Sequence, residues 1–416
     1  MDFLITINFI LAAVFFICYS YQFFYIPAAI LKKEPPHKEE KRHRFAVLIC
    51  ARNEEKVIGN LIKSIKDQTY GSENIRIFVM ADNCTDETAR TARLSGAVVY
   101  KREDTKRIGK GYALDALLRH ISEDYPKNYF DGFFVFDADN VLDENYISEM
   151  NKTFSDGYDI ITGYRNSKNY GDNWISAGYS LWFLRESKYL NQARFLLKSS
   201  CAVSGTGFFF SKRILEKCSG WPFHLLTEDI EFTVHNVISG EKVGYCKNAV
   251  LYDEQPVLFR QSWRQRMRWA KGYLQVFKKY GKDLIKGVLK GDFSCFDMTM
   301  AIMPAVVIST LCAVINTASS VMTLIAGGSI LPVLLSVGES LFNVYLTLFA
   351  VGAITTATEW KMIHTTPVKK IFYVFTFPLF MLTYIPISLA ALFMKVEWKP
   401  IEHNIKTTVA ELKRSA

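Results

Sequence analysis

Hydrophobic residues are concentrated at the two ends of the chain. Residues 3–30 and most of residues 298–394 are nearly free of charge, whereas residues 32–297 mix charged and apolar positions as soluble domains do. A membrane-spanning helix needs about 20 consecutive apolar residues, and both end regions are long enough to supply one. The pattern therefore excludes a purely soluble protein, and its density of apolar residues also excludes a disordered one.

The first apolar stretch, Phe3 to Ile30, predicts a membrane-spanning helix followed by a cytosolic domain. Basic residues follow the stretch directly: Lys32, Lys33, Lys41, Arg42 and Arg44. Positively charged flanks stay in the cytosol, so the amino terminus is expected outside. The start Met-Asp-Phe lacks the positive region of a cleaved signal peptide, and the stretch is about twice the length of that peptide's apolar core. We therefore expect a retained anchor.

The second apolar region divides into three stretches that are each long enough to span a bilayer. They are Met298–Ala326, Ser329–Thr358 and Ile371–Met394. Gly327-Gly328 predicts an outer turn after the first stretch, and a group of lysines predicts an inner loop before the third: Lys361, Lys369 and Lys370.

The basic tail, residues 395–416, conflicts with a simple count of three spans. Three crossings would place it outside, where basic residues are disfavoured. Pro378 and Pro386 make Ile371–Met394 the stretch expected to be irregular or re-entrant. The sequence leaves the number of crossings open.

Between the apolar ends, short apolar runs alternate with segments of helical periodicity. The runs predict four strands: Phe45–Cys50, Ile75–Met80, Ala97–Tyr100 and Phe133–Phe136. Strands that are apolar throughout and alternate with helices indicate a mostly parallel α/β sheet covered on both faces. Ligands bind such sheets at the carboxyl ends of the strands. Here those ends carry polar residues: Asn53, Glu54, Asp82, Asp86, Asp137 and Asp139.

The distribution of charge predicts that the protein binds an anionic partner. The 416 residues carry a net charge of +9, and residues 260–290 hold ten Lys or Arg against one acid, Asp283. Beside a hydrophobic block, such a segment is typical of contact with lipid head groups and a phosphorylated substrate, and it disfavours nucleic acid as the partner.

The remaining residue patterns indicate structural roles. The eight cysteines include no C-x-x-C pair, which argues against a disulfide scaffold and a zinc site and suits a reducing compartment. The histidines, His403 among them, show no ligand spacing and are expected to be surface or core residues. Residues 174–194 carry aromatic positions at a helical period, so we expect them to pack over the α/β domain rather than against the membrane.

Asp137-Ala-Asp139 places two carboxylates just past a buried strand, where a turn can direct both at one cation. Mg²⁺ and Mn²⁺ prefer one or two carboxylates together with the oxygens of a diphosphate. An isolated pair of this kind is more often a turn or a helix cap, so the motif needs support from its neighbours.

That support comes from four motifs in a fixed order: Asp82 after the second strand, Asp137-Ala-Asp139, Thr227-Glu228-Asp229 and Gln265-Arg266-Met267-Arg268-Trp269. In these the chain resembles the processive family 2 glycosyltransferases of membranes, which include cellulose, chitin, hyaluronan and poly-N-acetylglucosamine synthases. The resemblance covers roughly residues 44–271 and implies a GT-A fold, a Rossmann-like α/β domain. Ala81 departs from the pattern where many relatives carry a further Asp, and no F-x-V-T-x-K-G gating loop follows.

For the donor, the resemblance implies a nucleotide-sugar site. Asp82 would contact the nucleotide base, beside the loop of Arg52 and Glu54. Asp139 would bind Mg²⁺ or Mn²⁺, and Asp137 would bind the nucleotide sugar. Three further residues would complete the donor site: Lys110 and Arg268 at the diphosphate, and Gln265. For Lys110 the alternative is a solvated lysine at a helix start.

For catalysis and the acceptor, the resemblance implies that Asp229, with Glu228 beside it, is the general base. Trp269 would stack on the terminal sugar of the acceptor, and the turn of Gly205 and Thr206 would line the acceptor pocket. The alternatives are that Thr227 and the two acids only cap a helix, and that residues 265–269 belong to an interfacial helix.

Together these patterns predict five regions: an N-terminal transmembrane helix at 1–31, a GT-A domain at 32–259, interface helices at 260–297, C-terminal transmembrane helices at 298–394 and a basic tail at 395–416. We expect a multi-pass enzyme of the cell membrane that extends a β-linked polysaccharide, with a β-glucan favoured, from a UDP-sugar in the cytosol. Its partners would be the donor, the growing polysaccharide and the bilayer.

Three alternatives remain open. One is a synthase of the poly-N-acetylglucosamine, chitin or hyaluronan type, and another is a glucosyltransferase that adds one sugar to a lipid such as ceramide. The third is a polymer exporter without enzymatic activity.

Overall fold

The computed structural model describes residues 2–325, 327, 329–397 and 400–414. Three residues of predicted regions lie outside the described residues: Ala326 of a predicted span, Gly328 of the predicted turn and Lys399 of the basic tail. Within these ranges eight strands form one sheet: β1 Phe45–Ala51, β2 Ile75–Asp82, β3 Val98–Arg102, β4 Gly132–Asp137, β5 Val141–Leu142, β6 Ile160–Ser167, β7 Phe208–Ser211 and β8 Val243–Asp253.

The strand order is β3-β2-β1-β4-β7-β6-β8-β5. The four strands that the sequence predicts, β1 to β4, are neighbours and run parallel. Strand β7 is antiparallel to both β4 and β6, and β5 is antiparallel to β8. The predicted mostly parallel sheet is confirmed, and β7 adds an antiparallel strand at its centre.

Helices cover the sheet and extend beyond it: α1 Asp2–Ser20, α2 Tyr25–Leu31, α3 Ile58–Lys66, α4 Thr88–Leu94, α5 Lys110–Asp124, α6 Tyr146–Ser155, α7 Trp174–Arg185, α8 Gln192–Leu196, α9 Lys212–Lys217, α10 Glu228–Ile238, α11 Phe259–Leu289, α12 Phe293–Ile302, α13 Pro304–Ile325, α14 Leu331–Thr358, α15 Pro367–Leu382, α16 Tyr384–Phe393 and α17 Val409–Arg414. Two 3₁₀ turns, Tyr21–Phe24 and Ser72–Asn74, and a π-helical segment, Glu186–Asn191, complete the list.

The core lies on both faces of the sheet. Alternate residues of β1 face opposite sides, so Leu48 joins the cluster under α5 and α7, whereas Val47 and Ile49 join the cluster under α3 and α6. This two-sided burial is the reason why the strands are apolar throughout instead of alternating with polar residues.

Helix α7 packs over the α/β domain as its aromatic pattern predicts. Tyr179 and Leu184 are buried, and Gly178 lies against the ring of Phe380 from α15, where an added Cβ would be 2.3 Å from the ring. The helix therefore forms a layer between the sheet and the C-terminal helices.

Among the described residues, three helical segments are long and apolar enough to cross a membrane: Thr6–Leu31, Val333–Thr358 and Pro367–Phe393. All three overlap predicted apolar stretches, namely Phe3–Ile30, Ser329–Thr358 and Ile371–Met394. The stretch predicted to begin at Met298 is instead divided between α12 and α13, because Pro304 cannot continue the hydrogen bonding of α12.

The last apolar segment, α15 and α16, contacts the α/β domain at its start and helix α11 at its end. At its start Lys369 Nζ donates to the Gly171 carbonyl at 2.7 Å, and at its end Lys271 Nζ of α11 donates to the Ala391 carbonyl at 2.9 Å. The two helices are separated at Thr383. Both ends of the segment are therefore held by the preceding part of the chain, and we call α15 and α16 together the hairpin.

Candidate active site

One cleft lies at the carboxyl ends of β2, β1 and β4, where the alternating α/β pattern places a ligand. It is lined by residues from distant parts of the sequence that were predicted as site residues: Arg52, Glu54, Asp82, Lys110, Asp137, Asp139, Gly205, Glu228, Asp229, Gln265, Arg268 and Trp269. The structure therefore brings together every predicted site residue except Thr206.

Thr206 lies beneath the cleft and is buried. Its hydroxyl donates to Asn140 Oδ1 at 2.5 Å and accepts the backbone N–H of Asp137 at 2.9 Å. These bonds fix the turn that carries Asp137. Gly205, at φ +78°, does face the cleft, and a Cβ there would lie 3.9 Å from Asp229 Oδ2.

Lys110 begins α5 and reaches into the cleft instead of into solvent. Its Nζ donates to an oxygen of Asp137 and, at 2.7 Å, to the Gly205 carbonyl. Burial alone would lower the pKa of Lys110, but the charges of Asp137 and Glu228 outweigh it and raise the pKa. Lys110 is thus a fixed positive charge among carboxylates, suited to an anionic ligand.

Asp82 at the end of β2 is held by the neighbouring strand. Arg102 Nη1 of β3 lies 2.5 Å from Asp82 Oδ1, and Asn83 Nδ2 donates to the same oxygen at 3.1 Å. A carboxylate oriented in this way can accept hydrogen bonds from a ligand at the strand end.

Asp139 is buried and accepts the backbone N–H of Glu254 at 2.8 Å. Burial would raise its pKa, but the charges of His403 and Lys168, with that hydrogen bond, hold the pKa below its usual range. Burial also raises the pKa of Glu54 to about 7, with the charges of Asp139 and Asp137 adding to the effect and His403 opposing it.

This cluster of carboxylates fits a divalent cation, because a cation would relieve the repulsion between Glu54, Asp137 and Asp139. Among the described residues no three His, Cys, Asp or Glu side chains converge as ligands. An ion bound to Asp139 would therefore be completed by oxygens of the ligand, as is usual for Mg²⁺.

Glu228 and Asp229 form the first turn of α10, where the helix dipole favours negative charge. Thr227 occupies the N-cap position, as the sequence predicts, but its side chain makes no capping hydrogen bond. Burial and the charge of Asp229 raise the pKa of Glu228 to about 7, and burial raises that of Asp229. The raised pKa values lie closer to neutral pH than those of free carboxylates, which is the range that suits a general base.

The polar and aromatic residues of the motif at 265–269 lie on two different faces of helix α11. Gln265, Arg268 and Trp269 line the cleft. Arg266 is buried on the other side, where Nη1 donates to the Phe380 carbonyl at 3.0 Å and to Thr383 Oγ1 at 2.7 Å. The first three residues are thus available to ligands, and Arg266 anchors α11 to the hairpin.

Trp269 is held by other aromatic rings at the edge of the cleft. Its ring centroid lies 5.7 Å from that of Tyr179 and 6.2 Å from that of Phe183, both in edge-on arrangements. Gln265 Oε1 is buried without a hydrogen-bond partner in the described part of the chain. An unpaired buried acceptor is costly, so a ligand hydroxyl at this position would be stabilised.

Several residues that line the cleft were not predicted: Arg165, Asp253, Glu254, Gln255, Pro400, Ile401 and His403. A signal existed for three of them, because Asp253 is the last residue of β8 and Glu254 and Gln255 follow it directly. None existed for His403, which was expected to be a surface or core residue. It reaches the cleft because the tail returns across the domain.

Comparisons with known proteins agree with this geometry. A family model described as "Glycosyltransferase like family 2" matches residues 43–272. A beta-monoglucosyldiacylglycerol synthase of Synechocystis sp. is 24% identical over 57% of this chain, and a poly-beta-1,6-N-acetyl-D-glucosamine synthase of Staphylococcus aureus is 21% identical over 59%. The matches span 49% and 58% of those proteins.

The structure of a mannosyltransferase from Pyrobaculum calidifontis, solved with GDP-Man and Mn²⁺, superimposes with a TM-score of 0.60. The likeness covers 94% of this chain and 99% of that protein at 17% identity. It shows a shared fold that includes the helices on either side of the α/β domain.

Proposed function

Because the chain belongs to glycosyltransferase-like family 2 and has the GT-A fold, we propose that it transfers a hexosyl group from a UDP-sugar to an acceptor. The acceptor is held at the membrane, and transfer inverts the configuration of the anomeric carbon. One observation carries the proposal: Glu228 and Asp229 line the same cleft as Asp82, Asp137 and Asp139. A site that only bound a nucleotide would not require the additional carboxylates of Glu228 and Asp229.

In the proposed reaction, Asp82 and Arg52 bind the nucleotide base, and Lys110 and Arg268 face the diphosphate. Asp139, with Asp137 and His403 nearby, would hold Mg²⁺ or Mn²⁺. Such an ion neutralises charge on the leaving diphosphate. Fixed cationic side chains act in the same direction because the charge on the leaving group increases in the transition state.

Asp229 accepts the proton of an acceptor hydroxyl. The oxygen of that hydroxyl forms the new bond to the anomeric carbon while the bond to the diphosphate breaks, and UDP leaves with the electron pair. Trp269, at the edge of the cleft, offers a flat apolar surface to an acceptor sugar ring. Because the chain belongs to an enzyme family, we exclude the alternative of a polymer exporter without enzymatic activity.

We further propose that the product is a β-linked polysaccharide, with a β-glucan favoured, and that the α/β domain faces the cytosol. The ordered motifs and the basic residues after α2 support these proposals. The second candidate is a glycolipid. It is favoured by an apolar cavity between α11, α13 and α16 that is lined by Leu274, Val307, Thr310, Leu311, Val314 and Leu392, since an acyl chain would fit such a lining.

The test is to incubate the purified protein in lipid nanodiscs with a panel of labelled UDP-sugars, with Mn²⁺ or Mg²⁺ or with EDTA. We expect release of UDP that requires the metal. Label in a polymer that linkage-specific hydrolases digest would support the first product, and label in an organic extract the second. Absence of turnover with every UDP-sugar would contradict the proposal.

A further inference from the structure

Helix α14 carries polar residues along one side, although it is apolar enough to cross a membrane. Glu339, Asn343 and Thr347 follow one another at intervals of four residues, and Ser340 lies three residues before Asn343. All four residues are exposed. A helix turns by about 100° per residue, so this spacing places them on one face. We call these four residues the polar face.

The opposite side of α14 packs against α15. The hydroxyl of Tyr345 donates to the Phe375 carbonyl at 3.0 Å, and the ring of Phe349 lies 5.0 Å from that of Phe375. An added Cβ on Gly352 would lie 2.9 Å from the ring of Phe377. The polar face therefore points away from α15, the neighbour of α14 in the hairpin.

The polar face lies deep within the apolar segment that begins at Val333. At about 1.5 Å per residue, Glu339 is about 9 Å and Asn343 about 15 Å further along the helix axis than Val333. The hydrocarbon core of a bilayer is about 30 Å thick. The bilayer therefore offers Asn343 no water, and a polar side chain at this depth is stabilised only by a partner in protein.

Two side chains of the polar face have no partner among the described residues of the chain. The carboxylate of Glu339 and the side-chain amide of Asn343 form no hydrogen bond or ion pair there. The hydroxyls of Ser340 and Thr347 differ, because each donates to a backbone carbonyl one turn earlier in α14, at 2.9 Å. An unpaired carboxylate and an unpaired amide in hydrocarbon are unfavourable, so a single copy leaves the polar face incomplete.

A contact that continues into the polar face shows how the apolar helices of this protein bond to one another. Asn8 of α1 and Asn316 of α13 exchange two hydrogen bonds, of 3.0 and 2.9 Å. Asn8 Nδ2 also donates to Ser336 Oγ of α14 at 3.4 Å. Ser336 lies one turn before Ser340, so this closed contact ends where the polar face begins. The reciprocal amide pair is a precedent within the chain for polar contacts between its membrane helices.

We propose that two copies of this chain associate in the membrane through their polar faces, with Glu339 and Asn343 of each copy bonded to the polar face of the other. The face complements itself, because an amide both donates and accepts and a carboxylate accepts. Two copies with the same topology place the same residues at the same depth, as a two-fold symmetric contact requires. Residues 291–360 contain no Lys or Arg, so the contact consists of interhelical hydrogen bonds and not of ion pairs. This inference does not rest on the proposed function.

Cross-linking in native membranes tests which side of α14 meets the second copy. In a background without native cysteines, Ser340→Cys and Thr347→Cys each place a thiol on the polar face. Leu341→Cys places one at an exposed position on another side of the helix and is the matched control. We expect oxidation with copper phenanthroline to join the first two variants into dimers about fivefold more efficiently than the control. Equal yields, or a cross-link to a different protein, would overturn the proposal.

Association in lipid vesicles tests the hydrogen bonds themselves. The double variant Glu339→Leu, Asn343→Leu makes α14 more apolar, so it does not impair insertion into the membrane. Energy transfer between labelled copies at several protein-to-lipid ratios should give a dissociation constant about tenfold higher for this variant. Glu339→Gln, which keeps a hydrogen-bonding group, and the control Leu341→Ala should stay within about twofold of the unaltered protein. An unchanged constant in the double variant would overturn the proposal.

The contact and the proposed function are tested independently, because association is measured without a donor sugar. If UDP-sugars are turned over by a protein that is monomeric at every protein-to-lipid ratio, only the contact is wrong. If the protein is dimeric and no UDP-sugar is turned over, only the proposed function is wrong. If the double variant shortens the product while association is unchanged, the polar face serves the saccharide within one copy, and the contact is wrong.

Discussion

His403 Nδ1 lies 2.9 Å from Oε1 of Glu54, although the two residues are 349 positions apart in the chain. Glu54 follows the first strand of the sheet, and His403 belongs to the tail that follows the last apolar helix. The contact therefore fixes the tail on the same side of any bilayer as the α/β domain.

This placement predicts the topology of the C-terminal region. In a background without native cysteines, Arg414→Cys should be protected from a membrane-impermeant maleimide in intact cells and labelled after permeabilisation. Ser329→Cys, in the turn before α14, should be labelled in intact cells. Labelling of Arg414→Cys without permeabilisation would show that the tail lies outside.

Asp229→Asn should abolish transfer without preventing donor binding. The substitution keeps the size of the side chain but removes the base, and a positioned base contributes on the order of 10² to 10⁴ in rate. Steady-state rates and UDP binding by calorimetry measure the two effects. Asp283→Asn, at an exposed ion pair of α11, is the control. If the Asp229→Asn variant retained transfer activity, Asp229 would not be the general base.

The rate of transfer should increase as the pH rises through the raised pKa values of the Glu228–Asp229 pair. The Glu228–Asp229 pair has raised pKa values, that of Glu228 to about 7. A raised pKa keeps a carboxylate protonated to higher pH, so the base becomes available only as pH rises past it. Glu228→Gln removes one charge of the pair and should move the acidic limb of the kcat/KM profile to lower pH. An unchanged acidic limb in the Glu228→Gln variant would show that the charge of Glu228 does not raise the pKa of the base.

Trp269→Ala should weaken acceptor binding more than donor binding. Loss of the flat ring should raise the KM for the acceptor about tenfold, and Trp269→Phe should restore part of it. Trp263, on the same helix but packed against Met267 and Ile387 outside the cleft, provides the matched Trp263→Ala control. Equal increases in both KM values would argue against stacking on the acceptor.

Arg194→Met should destabilise the whole protein. Arg194 Nε lies 2.7 Å from Asp297 Oδ2, both side chains are buried, and Tyr25 donates to the same oxygen at 2.7 Å. Removing one partner of a buried pair costs about 3–5 kcal/mol. Thermal unfolding measures the loss. Arg213→Met, which breaks an exposed pair with Glu241, should cost about 1 kcal/mol or less, and equal losses would contradict the role of burial.

The sequence by itself determined the first four strands and the order of the motifs. The apolar runs that became β1 to β4 are local patterns, and a strand buried on both faces must be apolar wherever it lies. Because the carboxyl ends of parallel strands meet at one edge of a sheet, the positions of Asp82 and Asp137 in one cleft also followed from the sequence.

Only the tertiary structure decided the contacts that close the site. Strand β7 runs antiparallel through the centre of the sheet, Thr206 lies under the cleft instead of in it, and His403 and Glu254 meet the predicted acids from distant segments. No local periodicity encodes these contacts, and the position of His403 depends on how the hairpin α15–α16 returns the tail to the domain. Packing between distant segments decides that path, and a pattern of neighbouring residues does not contain it.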